Sequence, residues 1–63
     1  MRFHWYIFRQ SNGTCVGRMK GSVGPSEEAM KTLGYFAVKS NINLGRPKEL
    51  MFVDGEVKKV IKL

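Results

Sequence analysis

The sequence predicts an α+β fold: a single small domain over residues 1–63, with elements in the order ββαββ, two β-hairpins forming one antiparallel sheet and one helix packed on one face of it. Three observations carry that prediction. Aromatic and β-branched residues crowd both ends of the chain, Asn12-Gly13 and Asp54-Gly55 each interrupt such a run, and only the middle stretch spaces its apolar residues as a helix does.

The first hairpin is read from RFHWYIFRQ (2–10) and TCVGRMK (14–20), which flank Ser11-Asn12-Gly13. Asn and Gly both tolerate the positive φ that a type I′ turn needs at its two central positions, so Asn12-Gly13 is expected to form a two-residue turn. Arg9 then faces Val16, Phe8 faces Gly17, Ile7 faces Arg18, Tyr6 faces Met19 and Trp5 faces Lys20. Strand alternation puts Phe3, Trp5, Ile7, Arg9, Val16, Arg18 and Lys20 on one face. His4, Tyr6, Phe8, Gln10, Cys15, Gly17 and Met19 lie on the other. A longer, bulged turn would shift this register.

The helix is expected over SEEAMKTLGYFAVKS (26–40). Ala29, Met30, Leu33, Phe36 and Ala37 form one stripe, and Glu27, Glu28, Lys31, Thr32 and Lys39 lie opposite. Ser26, after Gly24-Pro25, is placed to cap the first turn, where Glu27 and Glu28 suit the positive end of the helix dipole. Gly34 inside the helix costs about 1 kcal/mol relative to Ala. The alternative ends the helix near Leu33 and makes Tyr35 to Lys39 a strand; continuation of the stripe through Phe36 and Ala37 favours the longer helix.

Asn41 to Lys48 reads as a loop, and ELMFV and EVKKVIKL then flank the Asp54-Gly55 turn. Leu50, Phe52, Val57, Lys59, Ile61 and Leu63 share one face of this second hairpin; Glu49, Met51, Val53, Lys58, Val60 and Lys62 share the other. The helix is expected to cover Tyr6, Phe8, Cys15, Met19, Phe52, Val57 and Ile61. Gly17 permits close approach there, while the opposite face holds Arg9, Arg18 and Lys20.

Sixty-three residues provide a small core, and chains of this size commonly add disulfides, a metal or a partner. The lone Cys15 forms no intramolecular disulfide, and one Cys with one His does not supply the four ligands of a structural zinc site. Association, as a homodimer, is the remaining aid. No cofactor is implied. No apolar run reaches the roughly 18 to 20 residues that span a bilayer, and the first residues lack the pattern of a signal peptide, so a cytoplasmic protein with no membrane partner is expected.

Catalysis is not expected either. Cys15 and His4 fall about 20 Å apart along the expected hairpin at ~3.3 Å per residue, too far for a thiolate and its base. The five acids form no catalytic pair, with Glu27 and Glu28 at a helix start, Asp54 and Glu56 at a turn and Glu49 at a strand start, and the glycines form no phosphate loop. What remains is charge and aromaticity. Eleven Lys and Arg against five acids, net +6, favour a polyanion. Phe3 and Trp5 interleave with Arg9, Arg18 and Lys20, extended by Lys58 and Lys62 if the hairpins share a sheet. Rings stack on unpaired bases and cations follow phosphates, so the expected function is a nucleic-acid-binding module for single-stranded or irregular RNA or DNA. The alternative is a small inhibitor or adaptor, of the kind that mobile elements and phages encode, using the same surface for an acidic protein.

Overall fold

The structure, a computed structural model, describes residues 2–60. The elements run β1 (Phe3–Arg9), β2 (Cys15–Gly21), α1 (Glu27–Thr32), β3 (Tyr35–Ser40), a 3₁₀ turn (Pro47–Glu49), β4 (Leu50–Val53) and β5 (Glu56–Lys59). The α+β class holds, but the order ββαββ does not: a further strand follows the helix. The strands form two antiparallel sheets rather than one, a three-stranded sheet ordered β2-β1-β3 and a two-stranded sheet of β4 and β5. Ile61, Lys62 and Leu63 of the second hairpin lie outside the described residues.

The helix begins where expected and ends early. The Ser26 hydroxyl accepts from the Ala29 amide at 3.4 Å, with Glu27 and Glu28 in the first turn. Gly34 stops it. Its φ of +81° is a left-handed conformation that glycine adopts without steric cost, and its amide donates back to the Lys31 carbonyl at 3.1 Å. Beyond it Tyr35–Ser40 pairs with β1, Phe36 opposite Phe8 and Val38 opposite Tyr6. Phe36 and Val38 thus serve a strand of period two, and the expected helix of residues 26–40 is corrected to Glu27–Thr32.

The first turn is also longer than Asn12-Gly13 alone. The Arg9 amide donates to the Thr14 carbonyl, and the Gly13 amide to the Arg9 carbonyl, both at 2.9 Å, enclosing residues 10–13. Asn12 instead accepts from the Thr14 amide through its side chain at 3.0 Å. Gly13 has φ +73°, and a Cβ there would collide with the Phe52 carbonyl oxygen. It is needed bare because the second hairpin docks on it: the Phe52 amide donates to the Gly13 carbonyl at 2.8 Å, beside a bridge between Thr14 and Met51.

A bulge completes the change of register. Phe8 faces Cys15 but Ile7 faces Gly17, so Val16 is the extra residue, and from there Tyr6 faces Arg18, Trp5 faces Met19 and His4 faces Lys20. Arg18 and Lys20 therefore move to the face of His4, Tyr6 and Phe8, and Met19 moves to the face of Phe3, Trp5 and Ile7. The second hairpin keeps its expected register, with Asp54 (φ 52°) and Gly55 (φ 81°) both left-handed at the turn.

The core lies between the two sheets. Tyr6, Phe8, Cys15 and Leu50 are buried, with Phe36, Val38, Leu44, Phe52 and Val57 packed around them. Phe8, Phe36 and Phe52 meet pairwise at centroid distances of 5.6, 5.8 and 4.8 Å. Such pairs contribute about 0.5 to 1.5 kcal/mol each beyond the area they bury. The expectation that the helix covers this face is corrected: β4 and β5 cover it, and α1 packs beside β3, with Met30, Tyr35 and Ala37 sharing a cleft.

Candidate nucleic-acid interface

The one-residue slip divides the expected constellation between opposite surfaces. Phe3, Trp5 and Arg9 stay together on the face away from the second hairpin, joined by Met19, Tyr35 and Lys39. Arg18 and Lys20 project from the other face. Lys58 stands on the outer side of the second hairpin beside Glu56, 3.6 Å from its carboxylate. Lys62 lies outside the described residues.

On the first surface the aromatic rings already have neighbours. Trp5 Nε1 donates to the Gly21 carbonyl at 3.0 Å, and a Cβ on Gly24 would come within 2.5 Å of the indole, so the chain after β2 lies directly against the ring. Phe3 meets Trp5 edge to face at 6.5 Å, and Lys39 Nζ sits 4.2 Å from the Phe3 centroid. Both rings are half-buried. Trp5 holds the loop that leads to α1 onto the sheet and Phe3 is covered by Lys39, which leaves less ring surface for a stacked base than the sequence suggests.

The second surface is built on the Asn41–Arg46 loop. Buried Tyr6 accepts from the Leu44 amide at 2.7 Å and donates to Asn43 Oδ1 at 3.3 Å. The same oxygen accepts from the Gly45 amide at 2.9 Å and from Arg18 Nη1 at 3.2 Å, and Arg18 reaches the Gly45 carbonyl at 3.5 Å. The loop is thereby tied to the core through one phenol. A Cβ on Gly45 would lie 3.3 Å from Lys59 Cε, 3.7 Å from its Nζ and 3.8 Å from Glu49 Oε2, so Lys59 lies across the glycine. Arg46 follows directly, and the 3₁₀ turn that carries Lys48 packs against β2, the strand of Arg18 and Lys20.

Acids are sparse on this side. Glu27 and Glu28 sit at the helix start and Asp54 and Glu56 at the second turn, leaving Glu49 as the acid among Arg18, Lys20, Arg46, Lys48 and Lys59. Among the described residues none of those five cations has a carboxylate within ion-pair distance. Asn43, Gly45, Arg46 and Lys59 escaped the reading of the sequence. The signal for Lys59 was its place as the one cation on an otherwise apolar strand face; nothing local indicated that the loop would fold beneath it.

Cys15 and His4 share the core-facing side but stand four strand positions apart, roughly 13 Å. The Cys15 thiol contacts the Gly17 carbonyl at 3.5 Å, and burial pushes its pKa up, which suits a neutral packed thiol. His4 stacks on Tyr6 at 6.4 Å, with its Nδ1 buried and without a hydrogen-bond partner. Among the described residues no three His, Cys, Asp or Glu side chains gather as a metal site, and no helix is long and apolar enough to cross a membrane. Comparison with protein-family models, curated proteins and solved structures gives no match for this chain.

Proposed function

We propose that this chain is a small nucleic-acid-binding module that holds the phosphate backbone along the side formed by β2, the Asn41–Arg46 loop and the end of β5. The observation that carries the reading is the gathering of Arg18, Lys20, Arg46, Lys48 and Lys59 on adjoining elements, without an ion pair among the described residues. Binding of this kind follows phosphates and is weakly dependent on sequence. It differs from the stacking surface expected from Phe3 and Trp5, whose rings are engaged with Gly21, Gly24 and Lys39.

Titration with short single-stranded and duplex oligonucleotides over a series of salt concentrations tests the reading. Four engaged cations give a slope of log K against log salt of about −2.8 to −3.6, at about 0.7 per phosphate contact on single strands and 0.9 on duplex. Absence of binding at low salt refutes it. A second reading has its own observation: Val23 and Ile42 are 81% and 65% exposed, at the end of the sheet where Phe3 faces Gly21 and His4 faces Ser40. Such residues suit an acidic protein with an apolar contact point. Capture of the same protein from nuclease-treated and untreated lysate, weakened by Val23→Ser or Ile42→Ser, supports that reading over the first.

A further inference from the structure

We propose that the cradle around Gly45 seats one phosphate group of a nucleic-acid strand between the Arg18 guanidinium and the Lys59 ammonium. This rests on the nucleic-acid reading above and names where on that surface the backbone is gripped. Three features make the seat. Arg18 is held by one nitrogen: Nη1 donates to Asn43 Oδ1 at 3.2 Å and to the Gly45 carbonyl at 3.5 Å, while no bond among the described residues engages Nη2 or Nε. A guanidinium fixed by one corner keeps donors free in the planar fork that matches two phosphate oxygens. Lys59 brings a second positive charge to the same glycine, its Nζ 3.7 Å from where a Cβ would stand.

The scaffold below is rigid for a loop. Asn43 Oδ1 collects donors from Tyr6, Arg18 and Gly45, and Tyr6 is wholly buried. The cost of ordering Arg18 is therefore met in the free protein. Gly45 itself, at φ +118°, leaves room that any side chain would fill against Lys59. Glu49 is the opposing element: its Oε2 stands 3.8 Å from the same Cβ position and repels an incoming anion, so it limits affinity. The cradle is thus a moderate site whose strength can be raised as well as lowered.

The test compares wild type with Lys59→Gln, Lys58→Gln and Glu49→Gln, each checked for an unchanged thermal melt, against a short oligonucleotide at several salt concentrations. Lys59→Gln and Lys58→Gln remove the same charge from the same strand. The expected result is several-fold weaker binding and a salt slope reduced by about 0.7 to 0.9, one contact, for Lys59→Gln alone. Glu49→Gln is expected to tighten binding several-fold. Equal losses from the two lysine variants, or no gain from Glu49→Gln, overturn the seat while leaving wild-type binding, and so the nucleic-acid reading, intact. Should wild type bind no oligonucleotide at low salt, that reading fails by itself, and inorganic phosphate followed by amide shifts decides the seat. Saturable shifts at Leu44, Gly45 and Arg46 that Lys59→Gln abolishes keep it for another phosphate carrier; no shift there overturns it.

Discussion

Trp5 is the side chain whose role the sequence leaves most open, since an indole on a strand can pack or bind. Its Nε1 bond to Gly21 and the passage of Gly24 against the ring make packing its work. A chain of this length has a stability of roughly 3 to 9 kcal/mol at about 0.05 to 0.15 per residue. Trp5→Ala should cost about 2 to 4 kcal/mol, below the full cost of a wholly buried ring. Gly24→Ala should also destabilise, because the ring must move. Urea unfolding followed by far-UV circular dichroism checks both; a Trp5→Ala protein as stable as wild type would return the ring to the list of binding groups. Cys15 gives a prediction in pH. Burial raises its pKa, with hydrogen bonds from the Gly17 and Ile7 backbone acting the other way, so the folded chain keeps a proton that the unfolded chain releases near the ordinary value of 9.0. Its contribution is constant below that pH and is lost as pH rises through and beyond it. The fall in urea midpoint between about pH 7 and pH 10 should therefore be smaller in Cys15→Ala than in wild type.

At the scale of elements, the sequence was legible where local chemistry and packing agree. Asp54-Gly55 makes its turn and Ser26 its cap because nothing else competes for them. Asn12-Gly13 carries the same turn chemistry, but Gly13 is required where the Phe52 backbone crosses it, and the turn widens to suit that contact. Gly34 misled for another reason. Phe36 and Val38 satisfy a strand's period of two, while Phe36 and Ala37 extend a helical stripe, and a short apolar run does not separate the two periods. The strand they form, β3, lies at the edge of its sheet, a position that invites pairing with another chain. Lys39 is exposed on that strand, with its ammonium over Phe3. Replacing it with Val should shift sedimentation velocity profiles toward dimers and larger species; an unchanged profile would mean the edge is guarded by something other than this charge.

Across the whole molecule, the candidate site was legible as charge and illegible as geometry. Period two in a strand means that the single residue inserted at Val16 carries Arg18 and Lys20 to the opposite face, so an assignment right in every residue type still grouped the wrong side chains. Arg18 met Asn43 and Gly45, partners 25 and 27 residues away, which no local spacing announces. The same separation has a kinetic side. The second hairpin reaches the first sheet through the Gly13–Phe52 bond and through the loop fastened to Tyr6, whose contact with Leu44 spans 38 residues. Closing a segment of that length costs on the order of 3 kcal/mol of chain entropy before any contact offsets it. A two-stranded hairpin alone is marginal in water, so β4 and β5 gain their persistence only once docked. Docking is then the late event of folding, and weakening it with Tyr6→Phe or Phe52→Leu should accelerate the unfolding limb of a chevron plot while leaving the refolding limb nearly unchanged. Amides of β4 and β5 should exchange with solvent earlier than those of β1, through an opening that leaves the three-stranded sheet intact.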